Sequence, residues 1–224
     1  MDIAHNLRQI RSALPPHVSL VAVSKTQPAE ALMEAYHAGQ RDFGENRVRE
    51  LVMKQPRLPS DIAWHFIGHL QTNKVRYIAP FVSLIHSIDG LKLLKEVNSE
   101  ARKRDRVIDC LLQFHIASEE TKFGMDLPEA MMLLESDDYR AMDHVRITGV
   151  MGMASFTDDM DMVSGEFRML RSFFNQIRQQ YFSDIDTFRI LSMGMSGDFR
   201  EAVREGSNMV RIGSLIFGER TEGK

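Results

Sequence analysis

Lys25 ends a short β-branched apolar run, Val21-Ala22-Val23-Ser24-Lys25-Thr26, a setting that suits amine chemistry. Apolar surroundings disfavour the ammonium form, and the free amine attacks carbonyl carbon. The plainer alternative is a strand-capping lysine whose stem lies on apolar surface while its head reaches water. Much later come two Gly- and Ser-rich segments, Ser192-Met193-Gly194-Met195-Ser196-Gly197-Asp198 and Arg211-Ile212-Gly213-Ser214. Glycines admit close backbone approach and N–H groups at a helix start point at anions, so both segments suit a phosphate. Each also reads as a tight turn with a helix cap, Ser196 being the N-cap. Asn46, His65 with His69, His86 and His115 are the remaining polar residues at the ends of apolar runs. The histidines raise a second class of function, a metal hydrolase. Against it, Gly68 separates His65 from His69, and no carboxylate ends a strand beside them apart from Asp89 at a helix start.

These residues need elements to carry them. Residues 2–13 have Ile3, Leu7, Ile10 and Leu14 at helical spacing, and Pro15-Pro16 stops that helix. The first strand is predicted from Val18 to Lys25, followed by a helix from Pro28 to Tyr36 that Gly39 ends. Strands follow at Asp42–Asn46, Trp64–Gly68 and Leu84–Ile88, separated by helical segments reaching Gln55 and spanning Gln71–Ile78. A helix starting at Asp89 carries Leu91, Leu94 and Val97. The second half alternates likewise: strands at Asp109–Ile116, Ile147–Met153, Phe188–Met193 and Met209–Ile212. Between them lie helices at Pro128–Leu134, through Phe167, Leu170, Phe173, Phe174 and Ile177, and at Phe199–Arg204. Eight apolar strands alternating with helices predict a parallel sheet covered on both faces, and eight closes a (β/α)8 TIM barrel. Too little chain follows the eighth strand for a full helix, so the N-terminal helix is expected to stand in for the last barrel helix. No linker divides residues 1–224, which are expected to form one domain.

The composition narrows the function classes. The chain has 224 residues, 28 basic and 31 acidic, for a formal charge of −3, so nothing favours a polyanion partner such as nucleic acid. Arg102-Lys103-Arg104 is the one basic run and reads as the solvated end of a helix. A single cysteine, Cys110, sits inside an apolar run; this fits a buried thiol in a reducing compartment. No apolar stretch reaches membrane-spanning length and no signal-peptide core opens the chain, so a cytoplasmic protein is expected.

Active sites of such barrels gather at the C-terminal ends of the strands, and phosphates sit after strands seven and eight. A lysine at that mouth beside an anion cradle suits an aldehyde-bearing phosphate held as a Schiff base. Pyridoxal 5′-phosphate (PLP) and the substrate of a Schiff-base aldolase both meet that description. Five ordered motifs then become recognisable: Val21-Ala22-Val23-Ser24-Lys25-Thr26, Phe43-Gly44-Glu45-Asn46, Trp64-His65-Phe66-Ile67-Gly68 with Leu70-Gln71-Thr72-Asn73-Lys74, Leu191-Ser192-Met193-Gly194-Met195-Ser196, and Val210-Arg211-Ile212-Gly213. Together they resemble the PLP homeostasis protein family (YggS/PROSC), from about residue 18 to Arg220.

The resemblance implies a barrel similar to the N-terminal domain of alanine racemase, with PLP on Lys25. It also implies that Ser196, Gly213 and Ser214 hold the phosphate, that Arg211 faces the pyridine nitrogen, and that Asn46 belongs to the cofactor site. A guanidinium only donates, so the ring nitrogen stays unprotonated and the ring is a poor electron sink. Racemases of related fold add acid–base groups from a second domain, which this chain is not expected to have. The implied role is a PLP carrier or regulator without robust catalysis, a monomer that serves PLP-dependent client enzymes, with racemase or lyase activity at most minor. Three positions depart from the family pattern: His115 replaces Asn in Gln113-Phe114-His115, Gln27 replaces a second lysine, and Ala154-Ser155-Phe156 replaces a proline-rich turn. His115 is expected to replace the Asn structurally.

Overall fold

The computed structural model describes residues 2–119 and 121–218. Its eight strands are β1 (Ser19–Val23), β2 (Asp42–Glu45), β3 (Ala63–Phe66), β4 (Leu84–Ile88), β5 (Ile108–Phe114), β6 (Val145–Gly152), β7 (Ile190–Ser192) and β8 (Met209–Ile212). Each pairs with the next in parallel, and β8 returns to β1 with Arg211 opposite Val21, which closes the barrel. Around it run α1 (Ile3–Ala13), α2 (Ala29–His37), α3 (Val48–Lys54), α4 (Val75–Ile78), α5 (Leu91–Arg102), α6 (Leu127–Glu135), α7 (Asp137–Arg140), α8 (Met160–Tyr181), α9 (Phe199–Arg204) and α10 (Ser214–Phe217). The expected (β/α)8 architecture is therefore present.

The first helix shows how sequence places an element. The Asp2 carboxylate accepts from His5 N at 2.7 Å, satisfying an N–H that the first turn leaves without a partner. Ile3, Leu7 and Ile10 share one face and are buried. That face is set between the two ends of the ring. Ile3 N donates to Glu34 of α2 at 3.0 Å, and the Asn6 amide donates to Ile216 O of α10 at 3.0 Å. As expected, α1 fills the place that the four-residue α10 is too short to cover.

The barrel has two apolar layers. A large cluster lies between the strands and the helices, and a small one, Val21, Leu84, Leu111, Met151 and Met209, lies inside the barrel. Side chains two apart on a strand share a face. Arg211 therefore points inward with Met209, Ser192 with Ile190, and His86 with Leu84. Polar groups thus occupy interior positions that branched apolar residues fill in most barrels of this kind.

Several strand ends differ from the sequence expectation. β1 stops at Val23, and Lys25 lies in the turn beyond it. The Ser24 carbonyl accepts from Lys54 Nζ at 2.8 Å and from Gln27 N at 3.0 Å, which bends the chain out of the ladder. β5 ends at Phe114 because the loop takes over its edge: Met125 N donates to Gln113 O, and His115 N to Met125 O. In β6 the register with β5 skips Thr148, so that Gly149 lies opposite Leu111 and Ile190. The basic run Arg102-Lys103-Arg104 does end α5, where Lys103 and Arg104 both donate to the Glu100 carboxylate.

Candidate functional site

The turn that carries Lys25 rests on a buried polar cluster. Glu45 and Ser24 are buried completely, and Lys54 nearly so. Glu45 Oε1 accepts from Ser24 Oγ at 2.7 Å and from Lys54 Nζ at 2.6 Å. Burial raises the Glu45 carboxyl above its usual range, while Lys54 and then Ser24 pull it back. One residue on, Thr26 adopts a left-handed φ of 65°, and its N–H donates to Glu50 at 2.7 Å. A β-branched residue tolerates that conformation only where its neighbours impose it. The main chain on both sides of Lys25 is thereby fixed, and Lys25 itself is half-buried. Sequence reasoning missed Lys54 and Glu45. The available signal was Glu50 and Lys54 at i,i+4 on a helix that follows directly after strand two.

At the ends of β7 and β8 the two predicted loops are joined. Gly213 N donates to Ser196 Oγ at 3.3 Å. Ser196 is therefore not the N-cap of α9; Asp198 holds that position, and its carboxylate accepts from Met195 N at 2.5 Å. Burial raises the Asp198 carboxyl. Immediately after Gly213 the short helix α10 begins. Its first helical bond comes from Ile216 N, so the N–H groups of Ser214 and Leu215 precede the ladder, as at any helix start. A β-carbon on Gly213 would stand 3.1 Å from Val23 O, so glycine lets the β8 loop lie against the end of β1.

Between these loops the Arg211 guanidinium is buried. It donates to Ser192 Oγ at 2.7 Å and to Gly152 O at 3.0 Å. Burial lowers its pKa to about 10, which still leaves a cation at neutral pH. Asn46 follows β2 at the same end of the barrel, with its side-chain oxygen buried and without a hydrogen-bond partner among the described residues. A depression of about 750 Å³ lies beside Ser196, Gly197 and Asp198, and a second of about 580 Å³ beside Asn46, His69 and Lys74. Lys25 and Arg211 line neither. The structure thus places Ser196 after β7 and Gly213 and Ser214 after β8, with Arg211 inside β8, Lys25 after the adjacent β1 and Asn46 after β2.

The histidines do not converge on one point. His115 Nε2 donates to Glu119 O at 2.9 Å, a bond within its own loop. His69 stacks on Phe123 with ring centroids 4.0 Å apart and pairs with Asp89 at 3.2 Å. His65 and His86 bond each other at 3.0 Å. Among the described residues no three metal-ligating side chains come together. In the divergent turn, Ser155 N and Oγ both donate to the buried Glu166 carboxylate, at 2.6 Å and 2.5 Å.

His86 is completely buried, and burial first, with His65 and Arg211 adding to it, holds its pKa well below 6.5. In the unfolded chain the ring titrates near 6.5, so below that pH the unfolded state binds a proton that the folded state refuses. The contribution to stability is complete above about pH 6.5 and is lost progressively as the pH falls. Urea midpoints at about pH 7 and pH 5.5 should therefore fall more in the wild type than in His86→Gln, which carries no titrating ring. Equal falls would contradict this.

Known proteins resemble this chain along nearly its whole length. The family described as alanine racemase, N-terminal domain, matches residues 1–221. The pyridoxal phosphate homeostasis protein of Aquifex aeolicus is 40% identical over 203 residues, covering 90% of this chain and 86% of the relative. The protein of the same name from Escherichia coli K12 is 36% identical over 237 residues, covering 100% and 99%. PipY of Synechococcus elongatus, solved with PLP bound, is 37% identical with a TM-score of 0.86, covering 96% of this chain and 100% of PipY.

Proposed function

From the premise that this chain belongs to the pyridoxal phosphate homeostasis proteins, within the alanine racemase N-terminal domain family, we propose that it binds PLP and holds it for the cell's PLP homeostasis. The whole chain acts as one cofactor-binding barrel domain, with Lys25 joined to the cofactor as a Schiff base. The observation that carries this reading is the buried Arg211 cation between two tied loops at the end of the barrel that also bears Lys25.

The residues fit the group. The helix start at Ser214 and the Ser196 hydroxyl offer donors to a phosphate. Asn46 has a buried acceptor in want of a donor. When bound, PLP supplies an aldehyde carbon and a ring able to withdraw electrons. The buried pair Lys54–Glu45 fixes the turn from which the Lys25 amine reaches that carbon. The Arg211 guanidinium donates and does not accept, so a ring nitrogen facing it keeps its lone pair and the ring withdraws electrons poorly. The site therefore holds the cofactor without robust racemase or lyase chemistry. The protein works as a cytoplasmic monomer that yields PLP to client enzymes; among the described residues no helix is long and apolar enough to cross a membrane.

The test is direct. Purified protein mixed with PLP should gain a visible absorbance band, and borohydride should attach the cofactor irreversibly to the peptide containing Lys25. The loaded protein should show no racemisation of L-alanine. A chain that takes up no PLP would sink the proposal, and rapid racemisation would remove its non-catalytic part.

A further inference from the structure

A polar chain crosses the barrel interior from mouth to floor. Arg211 donates to Ser192 Oγ at 2.7 Å. Ser192 Oγ lies 3.2 Å from His86 Nδ1, and His86 Nε2 lies 3.0 Å from His65 Nδ1. His65 Nε2 lies 3.2 Å from Asp42 Oδ1, at the start of β2 and the opposite end of the barrel. Ser192, His65, His86 and Arg211 are all buried, while the Asp42 side chain is 44% exposed.

The direction of every bond follows from the two ends. A guanidinium can only donate and a carboxylate can only accept. Ser192 Oγ therefore accepts from Arg211 and has its own proton to place, and His86 Nδ1 is the acceptor within reach. A neutral imidazole with Nδ1 accepting carries its proton on Nε2, which then donates to His65 Nδ1. The same rule puts the His65 proton on Nε2, facing Asp42. With both rings neutral, four hydrogen bonds run one way, from cation to anion; in the reverse order an unprotonated His65 Nε2 would face the Asp42 carboxylate, which has no proton to donate. The neutral state of His86 suits this order, since burial disfavours the imidazolium.

We propose that His86, and through it His65 and Asp42, are positioning residues for Arg211: the one-way chain turns Ser192 to accept from the guanidinium and fixes its orientation toward the cofactor ring. This rests on the reading of Arg211 as the group that faces the ring nitrogen. Gly152 O anchors one arm of the guanidinium and the chain anchors the other. A His86 side chain without ring nitrogens leaves Ser192 free to rotate its proton toward other acceptors, and Arg211 then has one fixed anchor instead of two.

Two measurements test this. In 15N-labelled wild type without PLP, the ring nitrogens of His65 and His86 should both report the Nε2–H tautomer. An Nδ1–H tautomer at either ring, or a charged His86 at neutral pH, overturns the chain. The second compares PLP titrations of wild type, His86→Phe and His86→Gln. His86→Phe should weaken binding by about tenfold, the order expected for a lost hydrogen bond in a charged network, and should shift the visible band of bound PLP. His86→Gln, whose amide supplies one acceptor and one donor, should restore both. Should His86→Phe lower the melting temperature yet leave affinity and band unmoved, the role is structural only and the proposal fails. If the wild type itself takes up no PLP, the reading of the site fails, while the tautomers still test the chain.

Discussion

Lys25→Ala should fold and lose the visible band of bound PLP completely. Borohydride should then fix no cofactor to the chain, because no amine stands at the end of β1 to meet the aldehyde. The proposed non-covalent contacts, from Ser196, Gly213, Ser214 and Arg211, remain, so PLP should still bind weakly and dialyse away. Lys25 is half-buried in a turn whose shape is set by other side chains. Its truncation should therefore change stability by about 1 kcal/mol or less. Lys54 is a separate case: its amine donates to the buried Glu45 and to the Ser24 carbonyl. Removing one partner from a buried ion pair leaves the other uncompensated, at a cost of about 3–5 kcal/mol. A band that survives in Lys25→Ala would assign the attachment to another lysine, with Lys74 and Lys122 the first to replace.

The largest effect on stability is expected at Gly149. A β-carbon there would lie 1.9 Å from the Ile190 carbonyl oxygen, and the residue's φ of 157° is one that side chains rarely adopt. The obstacle is backbone of the adjacent strand, so no rotamer change relieves it. Gly149→Ala should force β6 away from β7 and cost more than about 3 kcal/mol, among the severe single substitutions. Gly197→Ala is the matched control. Nothing lies within 4 Å of the added carbon there, and stability should move by about 0.5 kcal/mol or less. Urea denaturation of the two variants checks both statements. Equal stabilities would mean that β6 and β7 separate without penalty.

The barrel was legible because its periodicity is local: eight apolar runs alternating with helical patterns leave few architectures to choose from. The strand ends were less legible because they depend on distant partners. Lys54 draws the Ser24 carbonyl out of the ladder from 30 residues away, and no pattern around Lys25 records that. Arg211 and the Gly- and Ser-rich loops stood out by composition, and their roles came from the motif resemblance. What the motifs left open was their arrangement: Ser196 accepts from Gly213 rather than capping α9, and His86 bonds both His65 and Ser192. His86 and Ser192 are 106 residues apart; only barrel closure makes them neighbours.

The closure by α1 bears on how the chain reaches this state. Asn6 and Ile216 are 210 residues apart, and β1 has no partner on one side until β8 exists. During synthesis α1 and β1 emerge before β8 and α10 and wait for them with an apolar face and an open strand edge. Long-range pairing of this kind delays the step that completes the fold. The same delay applies to the proposed cofactor site, since Lys25 lies in the turn after β1 and Arg211 in β8. A nascent chain therefore cannot bring Lys25 and Arg211 to the same end of the barrel until β8 has been made.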